Sequence, residues 1–308
     1  MTTNQDLINQ IANVHLGKAG DGSTVKPYVT PDEVDPSLLV PVPRYLNRTA
    51  YNITEDQNEF VGMDAWNAYE FSTLLKNGFP VSGWLKFSYY SNTPNIVESK
   101  SVKLYLNSYN MARLIESVDD TFKIEDMIEN DLSKAVGGQV TVQLRVGDIQ
   151  TVRPINGDFT SLETYCNIEK MTFEQFNETP ETLEVVPSIG RYEKWRSHSL
   201  RSNCRVTNQP DWGDVYIHIK GKKAVTPESL LQYIVSMRKE NHFHEEIAEC
   251  IWKRLYDLLQ PEELLVACLY TRRGGIDINP VRSTHESLLY TLAPVVDAYK
   301  FTTKTPRQ

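Results

Sequence analysis

RSNCRVTNQPDWGDVYIHIKGKKAVTPESLLQYIVSMRK, residues 201–239, carries the pattern on which the fold turns. Within it, RSNCRVTNQ and DVYIHIKG read as two strands around a turn at Pro210–Asp211–Trp212–Gly213. In the second strand Val215, Ile217 and Ile219 fall on one face and Tyr216, His218 and Lys220 on the other. Thr226, Pro227 and Glu228 then mark a helix start: a capping hydroxyl, a proline in the first turn and an acid against the helix dipole. That helix is predicted to reach about Lys239. The next begins near His242, carries Ile247, Ile251, Leu255 and Leu258 on one stripe, and stops before Pro261. ELLVACLYT at 263–271 reads as a strand, and Arg272–Arg273–Gly274–Gly275 turns the chain.

The first half repeats this grammar. VSGWLKFSYY at 81–90 is aromatic and β-branched enough for a strand, and a short strand follows the turn at Ser91–Asn95. After a polar corner at Glu98–Ser101 comes a helix with Val102, Leu104, Tyr105 and Leu106, then a helix over 124–135 closed by Gly137–Gly138, then a strand at 139–147. Strand, strand, helix, helix, strand thus occurs twice, which predicts two similar α+β modules. A further helix is predicted from about Asp64, with Trp66, Tyr69, Phe71, Leu74 and Leu75 as its apolar members, ended by Gly78 and Pro80. Residues 1–60 read as a lead-in: an amphipathic stretch at Leu7, Ile8, Ile11 and Val14, then Pro27, Pro31, Pro36, Pro41 and Pro43, which favour an extended segment. The expected division is a lead-in at 1–60, a first module with its irregular, acidic connection at 61–185, and a second module at 186–308.

Composition narrows the function. The 308 residues are 40% hydrophobic and 23% charged, the balance of a soluble globular chain. A net charge of −8 argues against direct nucleic-acid binding, which depends on neutralising phosphates. No apolar run reaches membrane-spanning length, and the N-terminal residues lack the basic start and apolar core of a signal peptide, so a cytoplasmic chain without membrane contact is expected. Four cysteines, Cys166, Cys204, Cys250 and Cys268, include no CxxC pair, which disfavours a disulfide framework or a structural zinc site.

Cys204 stands out because Ser202, Asn203 and Arg205 surround it with polar groups, a setting for a nucleophile or for a plain structural thiol. Arg205 would stabilise a thiolate if the two side chains met, although strand alternation points them apart. Asp211 lies seven residues on, close enough for one hairpin to bring a carboxyl to the sulfur, with Trp212 placed to shield it as a proton donor. Glu98 and Glu245 each sit where a segment enters a helix, suited to accept from the N–H edge of a flat heterocycle or simply to cap. His242 and His244 have no evident third ligand for a metal, and His244 reads as a pocket wall or a core histidine. Arg272–Arg273–Gly274–Gly275 is either a phosphate cradle or an exposed turn. No GxGxxG, Walker or GxSxG motif is present.

The run ESKSVKLYLNS at 98–108 resembles the signature of the NADPH-dependent 7-cyano-7-deazaguanine reductases, the nitrile reductases of queuosine biosynthesis. SNCRVTNQPDWGD at 202–214, FHEE at 243–246 and YTRRGGIDINPVRS at 270–283 are similar to the same family in its longer, two-module form. The resemblance covers roughly 60–285. It implies tandem tunnelling-fold modules, antiparallel sheets with helices packed on one face, assembled as a homodimer. It implies Cys204 as the nucleophile that forms a covalent thioimide with the nitrile, and Asp211 as the acid. Val97, Glu98, Ser99, His244 and Glu245 match the deazaguanine-binding positions, while Ser99, Lys100, Arg273 and Gly274 match the NADPH contacts, with no metal. Two NADPH molecules per turnover and a metabolic rather than physical link to tRNA follow from the same resemblance. Ile247 stands where many members have a cysteine, so a protective disulfide to Cys204 is not expected here. A non-catalytic deazapurine-binding module and a nitrile amidinotransferase of the same fold are the alternatives, against which Cys204 with Asp211 and the ESKS run respectively argue.

Overall fold

The computed structural model describes residues 31–54, 59–155, 158–188, 192–305 and 308. The expected amphipathic stretch at Leu7, Ile8, Ile11 and Val14, and Pro27, lie outside the described residues. The chain divides into two units, one built from residues up to Ala50, Trp66–Gln150 and Arg273–Ile276, the other from Tyr51–Ala65, Thr151–Arg272 and Asp277–Gln308. Both are mixed α and β, with antiparallel strands.

In the first unit, strands β1 (Val61–Leu75, from Trp66 onward), β2 (Pro80–Tyr90) and β3 (Val140–Val146) are neighbours in that order, and β2 and β3 pair antiparallel from Gly83↔Val146 to Tyr89↔Val140. Helix α1 (Ser99–Asn107) buries Val102, Tyr105 and Leu106, and α2 (Thr121–Val136) buries Ile124, Ile128, Leu132 and Val136, an i, i+4 stripe. Gly137 ends α2 in the left-handed conformation (φ 74°), as the Gly137–Gly138 pair predicts. Helix α2 also closes the outer edge of β3: the N–H groups of Leu144 and Val142 donate to Glu125 and Glu129. The proline-rich segment is extended at Pro41–Pro43, which pairs antiparallel with Asn95–Val97, but Pro36–Leu38 instead forms a 3-10 turn, where Pro36 takes the first position and Asp35 accepts from the Ser37 N–H.

The helix expected from Asp64 is instead strand β1. Its residues from Gly62 to Ala68 are all buried, so the run shows neither the one-sided period of a surface helix nor that of a half-exposed strand. Asp64 does not cap. Its carboxylate is fully buried, 2.8 Å from the Arg282 guanidinium, and Glu249 takes the other side of that guanidinium at 2.9 Å. A partner 218 positions away, invisible to local pattern, decides the conformation here.

In the second unit the strand order is β6-β4-β5-β7-β8, with β4 (Glu193–Cys204), β5 (Pro210–Lys220), β6 (Asn241–His242), β7 (Glu263–Tyr270) and β8 (Ile276–Ser283). Short β6 runs parallel to β4, and the β4–β5, β5–β7 and β7–β8 pairs are antiparallel. Helices α3 (Pro227–Ser236) and α4 (His244–Leu259) cover one face. There Leu200, Val215, Ile217 and Ile219 pack with Leu230, Ile234, Ile251, Trp252 and Leu255, each such side chain contributing about 1.5–3 kcal/mol. Thr226 caps α3 by accepting from the Ser229 N–H, with Pro227 at the first position, as expected. The opposite face is not open: Tyr216, Leu265, Leu269 and Val281 pack under the short helices Glu286–Leu289 and Ala293–Val296, which adds a second covered face to the expected single one.

The hairpin that carries the chemistry also differs in detail. Pro210–Gly213 lies in β5, paired with β4 (Pro210↔Asn203, Asp211↔Ser202), and the turn is made by Arg205–Gln209. Asn208 adopts φ 55°, a conformation asparagine tolerates, and its N–H donates to the Cys204 carbonyl. Asp211 is thereby held on a rigid strand.

Candidate active site

Cys204 ends β4, its N–H donating to the Gln209 carbonyl at 2.8 Å, and its register partner across β6 is His242. It is half-buried, whereas Cys166, Cys250 and Cys268 are buried, and all four are free thiols. Burial pushes the three buried thiols up, Cys268 to about 12. Cys250 lies 3.7 Å from the Tyr233 hydroxyl in the core.

Asp211 is 3% exposed, and its Oδ2 lies 3.3 Å from Nε2 of His244, the first residue of α4. The His244 imidazole stacks on the Tyr270 ring at 3.8 Å and 13°, which fixes its plane. Its Nδ1 is buried without a hydrogen-bond partner among the described residues, and the Tyr270 hydroxyl is buried beside that of Ser202, the register partner of Asp211. Glu245 follows His244 and is likewise buried. Cys204, Asp211, His244 and Glu245 thus all lie on β4, β5 and the start of α4 in the second unit, the thiol half-buried and the two carboxyl groups buried. Trp212 does not shield Asp211: strand alternation turns it away, and Arg201 and Arg238 lie over its ring at 5.8 and 5.4 Å.

Behind the corner lies an ion network. Arg205 pairs with Glu246 rather than resting on the sulfur, and His242 bridges Glu246 at 3.3 Å and Glu240 at 3.1 Å. Burial opposes the imidazolium, but the hydrogen bonds it donates to Glu240 and Glu246 outweigh it and hold His242 up at about 9. The hydrogen bond with His242 is the main cause that brings Glu240 down to about 2. His242 is thus an ion-pair member. Among the described residues no group of three or more His, Cys, Asp or Glu side chains is arranged to hold a metal ion.

In the first unit, Val97 is buried at the end of the strand pairing with Pro41–Pro43, and Glu98 caps α1. The Glu98 carboxylate accepts from the Ser101 N–H at 2.7 Å, the Lys100 N–H at 3.1 Å and the Ser99 hydroxyl at 3.4 Å. Burial nevertheless outweighs these bonds and holds its pKa above the ordinary carboxylate value, against the expectation that the helix start would favour the charge. Lys100 is exposed on the same turn. Arg273–Ile276 is a tight turn in which Gly274 (φ 56°) and Gly275 (φ 78°) both take positive φ, the signature of a type I′ hairpin. A Cβ on Gly274 would come within 2.7 Å of Lys103 Nζ, so the bare backbone lies against a lysine one turn along α1 from Lys100.

Sequence comparison decides the family. Residues 30–144 match the family described as nitrile reductase, 7-cyano-7-deazaguanine-reductase N-term, and residues 210–288 match the family described as QueF-like protein. The NADPH-dependent 7-cyano-7-deazaguanine reductase of Dechloromonas aromatica (strain RCB) is 41% identical over 249 residues, covering 81% of this chain and 85% of its own. The enzyme of the same name from Colwellia psychrerythraea (strain 34H / ATCC BAA-681) is 40% identical over 258 residues, covering 82% and 88%. The chain belongs to the NADPH-dependent 7-cyano-7-deazaguanine reductase family. The crystal structure of the archaeosine synthase QueF-Like in the apo form matches 33% of this chain and 94% of its own, at 19% identity and a TM-score of 0.27, too weakly to bear on the fold.

For a reductase of this family, three side chains escaped the reading of the sequence. Lys103 meets Gly274, and its signal was present as the second lysine, three residues after Lys100, on one helix face. Tyr270, stacked on His244, looks in sequence like one more apolar strand residue. Glu246, which gathers Arg205 and His242, looks like an ordinary first-turn acid.

Proposed function

We propose that the chain reduces the nitrile of 7-cyano-7-deazaguanine to the primary amine of 7-aminomethyl-7-deazaguanine with NADPH, through a covalent thioimide on Cys204. The observation that carries this reading is the arrangement in the second unit: a half-buried thiol at a strand end, and on the paired strand a buried carboxyl in contact with an imidazole. A thiolate suits the electrophilic carbon of a nitrile. As Sγ adds, one C–N π pair moves to nitrogen, which takes a proton, leaving a C–S single bond and a C=NH group. Asp211 supplies that proton, and His244 at 3.3 Å shares it and resupplies it. Val97, Glu98 and Ser99, and His244 and Glu245, are the positions read as binding the deazaguanine, whose N–H edge a carboxyl group suits; of the Glu98 oxygens, Oε1 carries two of the three capping bonds and Oε2 one, which leaves a lone pair on Oε2.

The residues of the first unit fit a nicotinamide dinucleotide phosphate. Lys100 follows Ser99 on α1 and Arg273 precedes Gly274, while Lys103 packs against the bare Gly274 backbone, so that these cations suit the cofactor phosphates. When bound, NADPH supplies hydride to carbon, twice in succession, which with protons completes the four-electron reduction and releases the thiolate. The two units are read as tunnelling-fold modules, and the working form as a homodimer. Mixing the protein with the nitrile alone should add one substrate mass to the chain. Cys204→Ala should abolish that adduct, and an unchanged adduct in the variant would move the nucleophile elsewhere. Asp211→Asn should slow adduct formation far more than it weakens nitrile binding, while equal losses would argue that Asp211 only supports the strand.

A further inference from the structure

A single carboxylate ties the nucleophile's strand to the helix that presents His244 and Glu245. Glu246 Oε2 accepts from the Phe243 N–H at 2.7 Å, closing the first turn of α4. Its Oε1 accepts from Arg205, the residue after Cys204, and lies 3.3 Å from Nδ1 of His242, the residue in register with Cys204. The backbone repeats the link, since the Asn203 N–H donates to the Glu240 carbonyl at 2.7 Å. Glu246 is 3% exposed and the Arg205 side chain 10%, so the pair is shielded from water and is sensitive to loss of either member. Its position between Cys204's neighbour, Cys204's register partner and the start of the His244 helix gives it a hold on both sides of the reacting groups.

We propose that Glu246 is a positioning residue for the nitrile reaction, setting the placement of Cys204 against His244 and Glu245 through Arg205 and His242; this rests on the assignment of Cys204 as the nucleophile. Glu246→Gln keeps the shape and the Phe243 contact but leaves a shielded guanidinium without its carboxylate. Arg205 then loses this buried carboxylate and shifts, pulling the residue beside the thiol with it. Removing Arg205 as well removes that pull, while the introduced side-chain amide still accepts from the Phe243 N–H.

The test uses the full chain and 7-cyano-7-deazaguanine without NADPH. The rate of adduct formation is read by intact mass, nitrile affinity by calorimetry in the Cys204→Ala background, and thermal stability in parallel. Glu246→Gln should slow adduct formation about tenfold or more, with affinity changed less than about threefold, a misplacement effect. Arg205→Leu combined with Glu246→Gln should recover most of the rate. If Glu246→Gln does not fold, Arg205→Lys serves instead, which keeps the charge but loses the fork geometry and should react at least about threefold more slowly at unchanged affinity. A wild-type rate in the single variant, equal loss of rate and affinity, or a double variant no faster than the single one overturns the proposal. Absence of any adduct on the wild-type chain is a different result, which sinks the nucleophile assignment itself and the proposal with it.

Discussion

Raising the pH from about 6.5 to about 9.5 should remove a large part of the stability that His242 contributes to the second unit. The imidazolium lies between Glu240 and Glu246, with the Tyr51 hydroxyl 3.2 Å from Nε2 and Arg205 on the same Glu246 oxygen. Its folded-state pKa is about 9 against 6.5 for a free imidazole. A gap of about 2.5 pH units corresponds to roughly 3 kcal/mol at about 1.4 kcal/mol per unit, and the shift of Glu240 describes the same contact and is not added. Because the folded value is raised, this stabilisation is complete below pH 6.5 and disappears as the pH climbs through 9. Urea unfolding of the wild type and of His242→Gln, measured from pH 6 to pH 10, isolates it from other titrating groups. The difference in unfolding free energy between the two proteins should shrink by about 2–3 kcal/mol across that range. A difference that stays constant, or grows with pH, would refute the ion-pair account of His242.

Arg282→Met should cost roughly 3–5 kcal/mol in denaturant unfolding, because it removes the guanidinium that the buried carboxylates of Asp64 and Glu249 share; a loss under about 1 kcal/mol would show that the triad is dispensable. Gly274→Ala introduces a Cβ at φ 56°, a strain of about 1–2 kcal/mol, and pushes on Lys103. It should raise the KM for NADPH several-fold while the nitrile-adduct rate stays at the wild-type value, and a slowed adduct would place the turn in the wrong half of the chemistry. Tyr270→Ala should slow adduct formation by freeing the His244 ring while Tyr270→Phe, which keeps the stack, should not; equal effects of the two changes, followed by intact mass, would assign the role to the hydroxyl.

Much of the second unit was legible because its signals are local. The alternation at Val215–Lys220, the Thr226–Pro227 helix start and the 244–259 stripe each depend on neighbours within a few residues, and all three appear in the structure. The failures were long-range. Strand β1 read as a helix because both its faces are buried and its decisive partner, Arg282, lies far along the chain. The placement of the hairpin turn slipped because PDWG has good turn chemistry, whereas pairing of Asp211 with Ser202 extends the strand through it. At the site, Cys204, Asp211 and the FHEE run stood out as chemistry-bearing residues, but the contact of Asp211 with His244 needs the third dimension. So does the pairing of Arg205 with Glu246, although strand alternation already pointed Arg205 away from the thiol.

The central claim is nitrile reduction by NADPH at Cys204, and NADPH absorbance followed in the presence of purified 7-cyano-7-deazaguanine tests it most directly. The account predicts oxidation that depends on the nitrile, consumes about two NADPH per amine formed, and is absent in Cys204→Ala. No NADPH oxidation with authentic nitrile, or oxidation that persists in Cys204→Ala, would contradict it.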